Sequence, residues 1–236
     1  PMSPENKSIL LVDGYAVIYR SFFAIRDLTN PDGEPVNALY GVARFSLKLA
    51  RDYPCPRSAV MLDKGKCARR ITALPDYKAN RPPMPDDLRA QIPLIRDWFT
   101  ALGWPLFECE GLEADDLIAQ VVERREGHPV FIVSHDKDLA QLVQPDVRLL
   151  QSAKGGNWQQ LGPEDVENKF GVAPHQVADY LALIGDSSDN IPGVPGVGPK
   201  TAAKLLRQFG DVDNLLANIE RVESKSLREK LNAARS

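Results

Sequence analysis

Short apolar runs alternate with amphipathic stretches through the first 150 residues, and three of those runs end on an acid. Ile9-Leu10-Leu11-Val12 stops at Asp13, and Ala59-Val60-Met61-Leu62 stops at Asp63. Val130-Phe131-Ile132-Val133 leads through Ser134-His135 to Asp136 and Asp138. Brief, unbroken apolar runs of this kind predict strands of a parallel sheet buried on both faces. Between them the pattern predicts helices within 15–26, over 36–51 and over 86–102, with a turn at Asn30-Pro31-Asp32-Gly33. The expected fold is therefore α/β, with a mainly parallel central sheet.

Beyond residue 150 the texture changes. Lys154-Gly155-Gly156-Asn157 predicts a turn, and helices are expected from Pro163, over 173–184 and over 201–209. Between the last two lies Gly193-Val194-Pro195-Gly196-Val197-Gly198-Pro199-Lys200. A glycine-rich hairpin between helices lets backbone amides approach phosphates, and the following helix N-terminus favours an anion. Gly196, Gly198, Lys200, Thr201 and Lys204 are thus candidate contacts to a duplex backbone. The chain is expected to divide into a catalytic α/β part, 1–160, and a helical duplex-binding part, 161–236, with the helix–hairpin–helix at 186–209.

Parallel strands put their carboxyl ends on one sheet edge, where open α/β sheets place ligands. Asp13, Asp63, Asp136 and Asp138 are expected there, joined by Glu113, Asp115, Asp116, Asp186 and Asp189, which open or close helical stretches. Such a crowd of carboxylates repels itself unless cations sit among it, so a multi-metal site is expected. Oxygen donors without histidine or cysteine favour Mg2+ or Mn2+ over zinc. The structural alternatives are helix N-terminal acids and strand-end caps, as Asp13-Gly14 would provide.

Net charge is −3, yet with those nine acids set aside, 23 of the 32 acidic residues face 29 basic ones. Two divalent cations would bring the whole chain to +1. A basic surface around a metallated acidic pocket suits a phosphodiester. Residues 64–85 carry Lys64, Lys66, Arg69, Arg70, Lys78 and Arg81 against Asp76 alone and end in a proline-rich run. They are expected to form a phosphate-contacting lid over the acidic edge, with Tyr77 as a candidate stacking platform; a solvated basic connection is the alternative. Trp98, Phe99 and Trp104 read as core, and so do Tyr19, Phe22 and Phe23, for which a wedge against a terminal base pair is the alternative. Cys55, Cys67 and Cys109 read as free thiols, and no apolar run reaches the ~20 residues of a membrane span.

The chain resembles the 5′ nuclease (flap endonuclease, 5′→3′ exonuclease) family, especially the nuclease domains of bacterial DNA polymerases I. The matching stretches are Leu11-Val12-Asp13-Gly14, 76–85, Gly111-Leu112-Glu113-Ala114-Asp115-Asp116, Asp136-Lys137-Asp138-Leu139 and 185–202, in family order. The resemblance implies a PIN-like core, a helical arch at about 64–95, and a C-terminal region that grips duplex DNA. It implies a first metal site of Asp13, Asp63, Glu113, Asp115 and Asp116. Asp136 would lie between the sites, and Asp138, Asp186 and Asp189 would complete a second. Lys78 and Arg81 match the arch residues facing the scissile phosphate, so these two and Asp136 are the catalytic candidates. Arg70 matches a family arginine at the arch base, although Cys67-Ala68-Arg69 departs from the usual threonine and aromatic there. Potassium held by backbone carbonyls near Val194 and Val197 is also implied. So are a branched or nicked DNA substrate with a 5′ flap, a fused or separate polymerase, a monomer, and a bacterial cytoplasmic setting near the nucleoid. His135 stands where the family usually has glycine. The chain stops at Ser236, short of further helices in polymerase-linked members, and reads as an excised domain or a short enzyme. A duplex-binding module without catalysis and a PIN-type ribonuclease are the alternatives. An aspartate-nucleophile phosphatase is disfavoured because Asp13-Gly14-Tyr15 lacks the second aspartate.

Overall fold

The computed structural model describes residues 7–234. Six strands, β1 (Ile9–Asp13), β2 (Arg57–Lys64), β3 (Leu106–Glu110), β4 (Val130–Val133), β5 (Val147–Ser152) and β6 (Trp158–Leu161), form one sheet in the order β3-β2-β1-β4-β5-β6. All neighbours are parallel except the β5/β6 pair, a hairpin that closes one edge. Leu11 pairs with Ala59 on one side and Ile132 on the other. That register brings the acidic ends of β1 and β2 and the acidic loop after β4 to the same edge.

Period-two alternation sorts the strand side chains onto two cores. Leu10, Val12, Val60, Leu62, Phe131 and Val133 pack under α1 (Gly14–Ala24), α2 (Asn37–Asp52) and α4 (Asp86–Ala101), where Ile18, Val42, Ile95 and Phe99 are buried. Between α2 and α4 lies the short α3 (Ala68–Ala73). Leu11, Met61 and Ile132 face the other way, against α5 (Ala114–Glu123). That second core runs on without a break into the C-terminal helices α6 (Pro163–Phe170), α7 (Val177–Ile184), α8 (Pro199–Phe209), α9 (Val212–Ala217) and α10 (Lys225–Ala233). Val177, Leu183 and Leu206 belong to the same cluster as Ile118. The helical region is therefore anchored on the sheet, which holds its hairpin and its acids in fixed relation to the edge.

Two expectations change. The predicted 173–184 helix is a 3-10 turn, Pro174–Gln176, followed by α7, because Pro174 can start a helical turn but donates no amide. The aromatic group on α1 is core only in part: Tyr19 and Phe22 are half-buried and pack against the core beneath α1, but Phe23, against both rings, is 64% exposed. Phe99 and Trp104 are buried, and half-buried Trp98 donates its Nε1–H to Ser46 Oγ at 2.8 Å. Among the described residues, no helix is long and apolar enough to cross a membrane.

Candidate active site

Each acid reaches the sheet edge by a local rule. Asp13 ends β1 and caps α1, its Oδ1 accepting from Ala16 N at 3.3 Å, while its Oδ2 accepts from Ser134 Oγ at 2.7 Å. Asp63, at the end of β2, accepts from Ala114 N at 2.6 Å, at the start of α5. Glu113 is the N-cap residue of α5, and Asp116 reaches back to its backbone N at 2.9 Å. Asp136 follows β4 and receives Asp138 N at 2.9 Å. The helix-cap and strand-end roles foreseen as structural alternatives are thus real, and the same residues also form the cluster.

Asp13, Asp63, Glu113, Asp115 and Asp136 line one cleft of about 470 Å3, with Lys78, Arg81, Tyr15 and Tyr19 on its other walls. For two of them, Asp115 and Asp13, burial and neighbouring charge disfavour ionisation. Burial, and then the charges of Asp13, Asp136 and Asp63, push Asp115 up to about 8. Burial raises Asp13 to about 6 despite the opposing bonds from Ser134 and Ala16.

A second group lies beside it. Asp138, Asp186 and Asp189 bring one oxygen each within 4.8 Å of one another. Burial, with the charge of Asp136, lifts Asp138 to about 6, and its Oδ1 is buried without a hydrogen-bond partner. Burial acts on Asp186 too, but bonds from Ser188 and from Lys137 Nζ, at 3.1 Å, hold it below the ordinary range. The loop bearing Asp186 and Asp189 is pinched by glycines: a Cβ on Gly193 would lie 2.4 Å from Gly185 N.

The basic segment folds over both groups. Lys78 Nζ lies 2.8 Å from Glu113 and 3.8 Å from Asp189, and Arg81 pairs with Asp189. Tyr77 donates its hydroxyl to Glu113 at 3.0 Å or Asp189 at 3.2 Å, so its tip points into the acids. Its ring is flanked by Arg70 and Lys78. Lys78 adopts φ +55°, a left-handed conformation costing ~1–2 kcal/mol for a side-chain-bearing residue. Its N–H donates to Asp189 O at 2.9 Å, which offsets part of that cost. Arg70 is bidentate on Asp116 at 3.0 Å and reaches Glu113 at 2.7 Å. Asp116 lines an adjoining cleft with Asp138 and Asp189 rather than the 470 Å3 one.

An all-oxygen donor set, the raised pKa values of Asp13, Asp115 and Asp138 in that crowd, and an orphaned buried carboxylate oxygen on Asp138 fit hard divalent cations. Asp13, Asp63, Glu113, Asp115 and Asp136 could hold one such ion, and Asp138, Asp186 and Asp189 another.

The hairpin lies at the far end of α7. Gly185, at φ +78°, ends that helix, and Val197 N donates to Val194 O at 2.9 Å in the turn before α8. Gly196 is left-handed at φ +79° and Gly198 is the N-cap residue of α8. Lys200 and Lys204 are exposed, with Thr201 half-buried beside them. His135 does not enter the acidic cleft; it contacts Arg20 and lies 3.2 Å from Ser152 Oγ. Burial, then Arg20 and Lys169, keep its pKa below the usual imidazole value.

Ser134 and Lys137 were not anticipated as supports, nor were Asn80 and Asn190, which tie the arch to the 186–190 loop through Ser187 O at 2.8 Å and Asp76 O at 2.9 Å. Only Ser134 carried a sequence signal, being a small hydroxyl two residues before Asp136, whose N–H donates to it.

Residues 8–171 match the family model of the 5′-3′ exonuclease N-terminal resolvase-like domain, and residues 172–236 match the 5′-3′ exonuclease C-terminal SAM fold. A 5′-3′ exonuclease of Aquifex aeolicus is 41% identical over 95% of this chain and 77% of its own length. DNA polymerase I of Bacillus caldotenax is 41% identical over 98% of this chain but 27% of its own length, so the chain spans about a quarter of that relative. A solved structure of the bacteriophage T5 flap endonuclease, in a pseudo-enzyme-product complex with DNA and metal ions, superposes with a TM-score of 0.78 at 25% identity. That match covers 96% of this chain and 84% of the T5 chain.

Proposed function

Because the chain belongs to the 5′-3′ exonuclease family, we propose that it is a divalent-metal-dependent 5′ nuclease. It hydrolyses DNA phosphodiesters at 5′ flaps and at nicked or gapped duplex ends, in replication and repair. The observation that carries this reading is the meeting of five carboxylates with Lys78 and Arg81 in one cleft.

Bound Mg2+ or Mn2+ would supply Lewis-acid activation of water and screen the charge on phosphate. The chain's own residues do the rest. Asp13, Asp63, Glu113, Asp115 and Asp136 bind and orient the first ion, with Asp116 steering Arg70 and Glu113 from the side. Asp138, Asp186 and Asp189 bind the second. Lys78 and Arg81, now held on Glu113 and Asp189, transfer to the non-bridging oxygens as negative charge builds there. Tyr77 orients Glu113 and Asp189 rather than stacking on a base. The turn at Gly196 and Gly198, with Lys200, Thr201 and Lys204, grips backbone phosphates of the duplex, and carbonyls near Val194 and Val197 are candidates for K+. Residues 1–160 then act as the catalytic part and 161–236 as the duplex-binding part. The monomer works with a fused or separate DNA polymerase in the bacterial cytoplasm.

The test is cleavage of a 3′-labelled 5′-flap duplex with Mg2+, with EDTA, and by Asp136→Asn, with a labelled RNA single strand alongside. Cutting at the flap junction that requires both metal and Asp136 is expected. Duplex binding without cutting would leave a binding module, and cutting of RNA alone would point to a PIN-type ribonuclease.

A further inference from the structure

A second cleft lies on the other flank of α1. The helix presents Tyr15 and Tyr19 to the acidic cleft and Val17 and Arg20 to this one, with Ala16 on the ridge between them. It encloses about 260 Å3 between α1, α2 and the carboxyl ends of β4 and β5. Arg20, Arg44, Lys48, His135 and Ser152 line it, and no carboxylate does. Across α1 the lining is mixed, with five acids facing Lys78 and Arg81 in one cleft.

The charges are unevenly compensated. Lys48 pairs with Asp52. Neither Arg20 nor Arg44 has a carboxylate partner among the described residues; Arg44 rests over the Tyr40 ring, 5.6 Å from its centroid. Arg20 instead meets the imidazole of His135, which also lies within hydrogen-bond distance of Ser152. Two guanidiniums without counter-ions in a concave site, backed by a hydroxyl, form a donor set for phosphate oxygens. The volume is below the ~300–1,000 Å3 that encloses a whole small ligand, so the cleft suits one phosphate of a longer strand.

We propose that this cleft holds a backbone phosphate of the nucleic acid, on the side of α1 away from the scissile bond, and that His135 is the positioning residue that fixes Arg20 there. The proposal rests on the nuclease reading above. A glycine at position 135 would offer Arg20 no such contact.

The test uses the full chain and a fluorescent nicked duplex, with binding followed in EDTA across a salt series. Arg44→Ala is expected to weaken binding about 5–10-fold and to flatten the slope of log K against log salt by ~0.9, the value of one phosphate contact. Its single-turnover cleavage rate at saturating DNA should stay at the wild-type level. His135→Gly should weaken binding less, and Arg20→Ala with His135→Gly should bind no more weakly than Arg20→Ala alone. Melting temperatures of all variants check folding. Unchanged affinity and slope in Arg44→Ala would overturn the cleft assignment, and additive losses would overturn the role of His135. Inorganic phosphate and a deoxynucleoside 5′-monophosphate are titrated in parallel. Binding of either that Arg44→Ala abolishes, with the DNA slope unchanged, would assign the cleft to a released product and overturn the backbone reading. A flattened slope in a protein that cuts no DNA would sink the nuclease reading while leaving the cleft intact.

Discussion

Removing metal should make this protein less stable as pH rises from about 5 to 8. Asp115 has an ordinary value of 3.8 and is pushed up to about 8; Asp13 and Asp138 rise to about 6. Between pH 4 and 8 the folded protein therefore holds protons that the unfolded chain has released. Stability falls with rising pH wherever the native state binds more protons, and here the fall ends once Asp115 ionises in the folded state. At 1.36 kcal/mol per pH unit, Asp115 alone sets an upper bound of about 6 kcal/mol. Its repulsion with Asp13, Asp63 and Asp136 is shared, and is eased by the first proton taken up. Water also enters the open cleft, so roughly half of that bound, ~3 kcal/mol, is the expected effect. For a chain of this size that is about 6–12 °C in melting temperature. The assay is thermal unfolding in EDTA at pH 5, 6, 7 and 8, at constant ionic strength, for the wild type and Asp115→Asn. His135, whose pKa is lowered, contributes in the opposite sense but equally in both proteins, so the difference isolates Asp115. Asp115→Asn should be the more stable at pH 8 without metal and should gain less from Mg2+. Parallel curves for the two proteins would refute the reasoning.

Lys78→Ala should lower the single-turnover rate far more than DNA affinity, as pre-steady-state cleavage and anisotropy would report; equal losses would reduce Lys78 to a binding contact. Lys200→Ala should weaken duplex binding and flatten its salt dependence by ~0.9, whereas an unchanged slope would remove Lys200 from the interface. Gly193→Ala would set a methyl 2.3 Å from Ile184 C and 2.4 Å from Gly185 N. Backbone cannot yield as a side chain tip does, so a loss of ~3 kcal/mol is expected, and a melting temperature equal to the wild type would refute the close approach.

The parallel strands and the acids at their ends were legible because a strand buried on both faces leaves an unbroken apolar run, and because an acid after such a run has no place in the core. Less was legible at the sheet's margins. Leu106-Phe107-Glu108-Cys109-Glu110 forms β3, but as an edge strand it is half-exposed, Phe107 at 51%, and its mixed pattern points to no single period. Phe23 misleads in the opposite direction, since an aromatic beside Tyr19 and Phe22 has a core composition whichever way its helix face turns. Within the site, residue type identified the ligand candidates but not their partners. That Tyr77 points into the acids, or that Asn80 reaches Ser187 O, depends on how the arch and the 186–190 loop cross. Those segments meet from more than a hundred positions apart (Tyr77 to Asp189 is one such contact), and local pattern carries no record of that meeting.

The same crossing bears on how the protein is made. The sheet edge gathers its first five cleft carboxylates by Asp136, yet the hydrogen bond from Lys78 N ends on Asp189 O. Contacts of such sequence separation form late, after long loops have closed. A ribosome that has delivered the whole sheet has therefore delivered Asp138 but neither Asp186 nor Asp189 and, of the acids that pair with Arg70, Lys78 and Arg81, only Glu113 and Asp116. A nascent or prematurely terminated chain that ends before residue 186 carries the five cleft acids without Asp186 and Asp189, so on the proposed reading it lacks the means to cut nucleic acid until the 186–190 loop closes onto Lys78.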